Sequence, residues 1–158
     1  METAGLLHLV LVEPEIPANT GNVARTCAVT GCALHLVHPL GFSVDDKHLK
    51  RAGLDYWHML QVYHHDSMQT LWQDNPQSRF WYVETSGQRG YAEVAYQDGD
   101  FLVFGQETKG LRPEILDHSP GNVIRIPILP QARSLNLSNA VALVTFEALR
   151  QLSFPGMV

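Results

Sequence analysis

Cysteine is nearly absent: Cys27 and Cys32 are the only two in 158 residues. That is too few for a disulfide framework, and no His-rich partner set completes a zinc pattern. A reduced, cytoplasmic protein that holds no metal is therefore expected. Long apolar runs are also missing, so no segment is expected to span a membrane, which takes roughly 20 residues. The apolar start AGLLHLVLV has nine residues, follows Glu2 rather than a basic segment, and precedes no small-residue cleavage site. It reads as a buried first strand rather than a signal peptide. Charge is sparse and acidic, with 11 Lys and Arg against 16 Asp and Glu. This balance argues mildly against nucleic acid, because phosphate binding needs cations, but it leaves room for a local basic patch. There is no internal repeat, low-complexity tract or linker. The 45% of hydrophobic residues is enough for one folded domain with a core of its own.

One basic patch is present. In SVDDKHLKRAG, residues 43–53, Ser43 and Asp46 have the spacing of a capping box and Gly53 suits a helix end. Lys47, Lys50 and Arg51 then share one helix face. A solvated surface is the ordinary reading of such a face, and Asp46 can neutralise Lys50.

Short apolar runs alternate with helical patterns. Strands are expected at 7–12, 33–38, 59–63, 79–84, 100–104 and 122–126, and helices at 20–30, 44–52, 66–74, 112–118 and 137–152. The alternation predicts an α/β fold with a mainly parallel sheet and helices on both faces. Ligands of such sheets bind beyond the carboxyl ends of the strands. Loops 13–22, 105–111 and 127–138 therefore matter most.

In the first of these, EPEIPANTGNVART, Pro14 and Pro17 stiffen the chain, Asn19 or Thr20 can cap the following helix, and Arg25 falls on its first turns. An ion pair of Arg25 with Glu13 or Glu15 is the ordinary alternative to a functional role. In LVFGQETKGLRPEIL, Gly105 and Gly110 are spaced as in a phosphate loop, but Leu111-Arg112 stands where Lys-Ser/Thr is required. Glu107 would also repel phosphate. This turn suits hydroxyl groups, a ribose or a cationic ligand, or is simply tight, with Glu107 bonding nearby amides. In the third loop Ser134, Asn136, Ser138 and Asn139 exceed what one helix cap needs, so they either knit the loop together or line a site. The helix beyond is apolar all round: Ala140, Val141, Leu143, Val144, Phe146, Ala148 and Leu149 leave no polar face. A second copy of the chain is its simplest cover, and burial within a monomer is the alternative. His64-His65 precedes an outer helix and is read as surface.

Three motifs, NTGNVAR at 19–25, LVFGQETKG at 102–110 and IPILPQARSLNLSNAVALVTFE at 126–147, resemble those of the SPOUT superfamily of S-adenosylmethionine-dependent RNA methyltransferases, in the same order. The likeness covers the whole chain. It is nearest to the branch that methylates the ribose 2′-oxygen, and within it to small bacterial members acting on the wobble nucleotide of leucine tRNAs. EPEIPANTGNVART, PLGFSVDDKHLKRAGLDY and SLNLSNAVALVTFEALRQL carry that closer likeness. The resemblance implies a single domain over 1–158 with a C-terminal trefoil knot, no further RNA-binding domain, and a homodimer through the last helix. It places cofactor contacts at Val83, Thr85, Gly105, Glu107, Ile126, Ser134 and Asn136. It also places catalytic or positioning roles on Arg25, Asn19, Glu107, Ser134 and Asn136.

A guanidinium is a poor general base, so Arg25 is expected to hold a phosphate and stabilise a developing alkoxide. With RNA as partner, Lys47, Lys50, Arg51, Arg112 and Arg133 become candidate backbone contacts. Two rivals remain: methylation at another tRNA or rRNA position, and a non-catalytic RNA-binding module. A hydrolase is disfavoured because no G-x-S-x-G elbow is present.

Overall fold

The computed structural model describes residues 6–45, 47, 51 and 58–158. Among these, seven strands form one sheet: β1 (His8–Val12), β2 (Ala33–Val37), β3 (Val62–His65), β4 (Phe80–Val83), β5 (Arg89–Gly90), β6 (Phe101–Phe104) and β7 (Val123–Arg125). Their order is β3-β2-β1-β6-β4-β7-β5, and every paired neighbour is parallel. The chain runs outward from β1 through β2 to β3, then returns to lay β6 on the other side of β1. The crevice at such a reversal is where open α/β sheets bind ligands.

The strands run apolar on both faces because both are covered. On one face Leu9, Leu11, Leu34, Leu36, Leu102, Phe104 and Ile124 pack against α1 (Pro17–Thr30) and α4 (Leu137–Gln151), which contribute Val23, Ala24, Cys27, Val141, Val144, Ala148 and Leu149. On the other, Val10, Val12, Val37, Phe80, Tyr82, Phe101 and Val103 pack against α2 (Met68–Asp74) and α3 (Pro113–Leu116). Among the described residues no helix is long and apolar enough to cross a membrane.

Several boundaries differ from expectation. Helix α1 begins at Pro17, not 20, because proline at the first helical position supplies a preset φ and needs no partner for a missing N–H. Neither Asn19 nor Thr20 is its cap: Ile16 occupies that position, and both polar residues lie buried within the first turns. Strand β3 starts at Val62 instead of 59, in register with Leu34 of β2. The two-residue β5 was not foreseen. Helix α2 is capped by Ser67, whose hydroxyl accepts from the Thr70 amide in a capping box. In the expected helix 44–52, Ser43 Oγ accepts from Asp45 N at 3.1 Å, while Asp46 and Lys50 lie outside the described residues.

The reading of His64-His65 as surface needs correction. Both lie in β3, and His65 is half-buried and joins a row of rings across three strands. His65 Nε2 is 2.8 Å from His35 Nδ1, and His35 Nε2 is 2.9 Å from His8 Nδ1. Phe101 stacks on His8 and Tyr63 on His35. Burial holds the His8 imidazole down to about 4, against a weaker upward pull from Asp98. It holds His35 down to about 2, helped by the neighbouring His8 and His65. His64 remains exposed, 2.7 Å from His38 across the strand.

Helix α4 shows one buried and one exposed face. Val141, Val144, Ala148 and Leu149 are fully buried, whereas Leu143 and Phe146 are 43% and 41% exposed. The intramolecular core therefore covers one side of the helix, and the exposed side mixes Leu143 and Phe146 with Asn139 and Arg150.

Candidate active site

Beyond the carboxyl ends of β1, β4 and β6 lies a cavity of ≈ 780 Å³, within the size range of small-molecule sites. Four stretches build it. The start of α1 contributes Ile16 and Asn19, and the end of β4 contributes Val83, Glu84 and Thr85. The turn after β6 contributes Gly105 to Gly110, and the segment from Ile126 to α4 contributes Arg133, Ser134 and Asn136.

Two glycines let the second turn fold tightly. A Cβ on Gly105 would overlap the Gly110 backbone, and one on Gly110, at φ +66°, would overlap the Glu84 carboxylate. Gly110 N closes the turn onto Gln106 O at 2.9 Å.

Three polar side chains then connect the three sequence motifs. Glu107 Oε1 accepts from Glu15 N at 2.8 Å, and its Oε2 accepts from Ile16 N at 2.8 Å and Asn19 Nδ2 at 3.3 Å. The carboxylate thus sits at the amino end of α1, where the helix dipole favours negative charge. Asn19 Oδ1 in turn accepts from Asn136 Nδ2 at 3.2 Å. Asn136 caps α4, its Oδ1 accepting from Ser138 N at 3.0 Å, Asn139 N at 3.3 Å and Ser138 Oγ at 2.6 Å. The polar ladder before the last helix is therefore both a cap and a cavity wall, with Ser134 exposed at its mouth.

A second set of contacts was not anticipated. Glu84 accepts from Leu111 N at 2.8 Å and from Thr85 N at 2.9 Å, joining the β4 loop to the turn after β6. Glu15 accepts from Thr108 N at 3.0 Å and from Thr108 Oγ1 at 2.8 Å. Glutamates in polar loops look like solvated charge in a sequence. Their only signal is proximity to the motif glycines, since acceptors are needed where a turn leaves amides unpaired.

Arg25 stands apart. It is exposed on α1 and is not among the residues lining this cavity. Glu13 forms an ion pair with Arg112. Arg112 lines a smaller cavity of ≈ 150 Å³ with Glu13, Lys109 and Gln106. Lys47 and Arg51 are exposed, and Lys50 is outside the described residues. Among the described residues no group of three or more His, Cys, Asp or Glu could hold a metal ion.

The cavity suits a ligand with an apolar ring, hydrogen-bonding groups and charge. Val83, Phe104, Ile126 and Leu137 supply apolar wall, Ser134 and Thr108 supply hydroxyls, and charges of both signs line it, Glu84 and Glu107 beside Lys109 and Arg133. A parallel α/β sheet with a cavity at its reversal point has the architecture in which such folds bind small ligands. The chain belongs to the SpoU rRNA Methylase family, whose model matches residues 6–146, and it is a methyltransferase.

The chain is 53% identical over 155 residues to the tRNA (cytidine(34)-2'-O)-methyltransferase of Escherichia coli (strain K12), covering 97% of this chain and 98% of that one. A solved structure described as "Structural insights into the 2-OH methylation of C/U34 on tRNA" superposes with a TM-score of 0.90 at 43% identity, covering 94% of this chain and 97% of that one. The AdoMet-bound rRNA methyltransferase from Sinorhizobium meliloti superposes with a TM-score of 0.85 at 25% identity, over 95% of this chain and 58% of that one.

Proposed function

We propose that this chain methylates the ribose 2′-oxygen of the wobble nucleotide, a cytidine or uridine derivative at position 34, in leucine tRNAs. S-Adenosylmethionine is the donor, and it supplies an electrophilic methyl group on a positively charged sulfur. The observation that carries the reading is the hydrogen-bonded series Glu107–Asn19–Asn136, which joins three motifs distant in sequence at one cavity wall. The near-full-length likeness to the Escherichia coli enzyme supports the wobble position.

The chain's own residues mainly position and polarise. Val83 and Ile126 offer apolar walls for a purine, and Gly105 lets the ligand approach the backbone. Thr85, Ser134 and Asn136 have hydroxyl and amide groups to orient the donor's polar ends. Both oxygens of Glu107 are engaged by the α1 loop, so it acts by fixing that loop and by its field on the sulfonium. Aligning the reactants alone can lower a barrier by roughly 7–11 kcal/mol in the best cases.

Arg25 holds the phosphate beside the target ribose and stabilises the oxygen as its proton leaves. RNA or a second subunit must bring it to the cavity, because it does not line the wall of one subunit. The exposed Leu143 and Phe146 of α4 support a homodimer through that helix. Lys47, Lys50, Arg51, Arg112 and Arg133 supply the cationic footprint for the tRNA backbone.

The chain acts as one cytoplasmic domain whose C-terminal third is knotted. The path after β4 supports the knot: Glu84 N and Tyr91 N donate to Ile124 O and Arg125 O at 3.0 and 2.8 Å, so residues 84–91 wrap across β7.

The test is methylation of leucine tRNA transcripts by the purified chain, read by nucleoside mass spectrometry. A 2′-O-methylated pyrimidine at position 34 is expected. Methylation elsewhere, or donor binding without any RNA product, refutes the assignment. Near-normal turnover by Arg25→Lys would remove the bidentate role given to Arg25.

A further inference from the structure

We propose that Glu15 is a positioning residue: with Thr108 it latches the two loops that flank the cavity, and so sets the affinity for the methyl donor. The inference deepens the methyltransferase reading and rests on it.

Two neighbouring residues of the turn after β6 are both tied to Glu15, in opposite senses. The Glu15 main chain donates to Glu107 Oε1 at 2.8 Å, while the Glu15 carboxylate accepts from Thr108 N and Thr108 Oγ1 at 3.0 and 2.8 Å. Such a reciprocal pair resists sliding as well as separation. Glu15 cannot retreat, because the loop after β2 backs it: Gly41 N donates to Pro14 O at 2.9 Å, and a Cβ on Gly41 would lie 2.9 Å from Glu15 Cα.

The turn needs this restraint. It is flanked by Gly105 and Gly110, residues with the most backbone freedom to lose. Thr108 lies on the cavity wall, as do Ile16 and Asn19 of the loop it is tied to. A loop ordered before binding leaves more of the contact free energy as affinity. The hydrogen bonds from Glu107 to Glu15 N and Ile16 N use only main-chain donors, so removing the Glu15 side chain leaves them in place. The two halves of the latch can therefore be separated by mutation.

The experiment measures S-adenosylmethionine binding by calorimetry on the full chain and amide exchange of the 106–110 turn without donor. Glu15→Ala should weaken binding about tenfold, the value of one charge-assisted bond of ~1.4 kcal/mol. It should also speed exchange at Thr108, with the thermal midpoint little moved. Glu15→Gln keeps a carbonyl acceptor and should recover to within about threefold of wild type. Thr108→Val should fall between, and the double variant should be no worse than Glu15→Ala, since both remove one interaction.

Wild-type affinity in Glu15→Ala, no rescue by Glu15→Gln, or additive losses would each overturn the latch. If Glu15→Ala fails to fold, the Glu15→Gln and Thr108→Val arms still decide. A wild-type chain that binds no donor would instead overturn the methyltransferase reading. The Thr108 exchange rates would then still decide whether the latch holds the turn.

Discussion

Lowering the pH from 7 to 5 should cost this protein about 4 kcal/mol of stability through two histidines alone. His35 has both ring nitrogens bonded to other imidazoles, at 2.9 and 2.8 Å. A neutral imidazole has one N–H, so His35 gives one hydrogen bond and takes the other. Protonation would make it a donor on both sides and force both neighbours to accept. His8 and His35 are 2% and 1% exposed, so water cannot compensate.

The sign follows from the depressed values of about 4 and about 2. The unfolded chain takes up these protons as the pH falls through 6.5 and the folded chain does not. Stability is therefore full above about 6.5 and is lost progressively below it, until the folded residues titrate. Between pH 7 and 5 each residue contributes about 2 kcal/mol at 1.36 kcal/mol per pH unit. His64 and His65, also lowered by burial, add in the same direction. Urea unfolding at pH 7 and pH 5, with a common slope, measures the difference. A change under about 1 kcal/mol would show that the row does not stay neutral in the fold, contrary to its geometry.

Asn136→Ala should lower stability by about 1 kcal/mol, the usual cost of an N-cap, read as a shift in urea midpoint. It should also loosen α1 from the last motif, because Asn19 loses its donor. Asp100→Ala should be harsher, at roughly 1–3 kcal/mol for each buried donor left without an acceptor. The Asp100 carboxylate is 2% exposed and accepts from Arg79 at 2.8 Å, Trp81 Nε1 at 2.9 Å and Gln97 N at 2.8 Å. Trp81 fluorescence during denaturation checks it, and a midpoint equal to wild type would count against a net stabilising role for the cluster.

The sheet was legible because a parallel strand covered on both faces must be largely apolar, as FLVF is throughout and HLVLV is after His8. Strand β5 was not, because Arg89 and Gly90 carry no apolar signal and are strands only by pairing with β7. Proline and glycine mark loops that line the cavity, since their backbone effects are local. The side-chain partners were hidden. Glu15 bonds Thr108, 93 positions away, which no local pattern announces. Asn19 was read as a cap for its own helix, yet it spans to residues 107 and 136. His8 and His35 lay inside strand patterns where a single polar residue looks like a lapse in hydrophobicity. Only the register of β1 against β2 brings them together.

Strands β1 and β6 lie side by side, but nearly ninety residues separate their ends, and Asn136 arrives later still. During synthesis, a chain that has emerged only as far as β4 owns half a crevice and no far wall. Occupancy of the pocket thus reports on the completed polypeptide, and a ligand that grips all four stretches would favour the finished form over every shorter precursor.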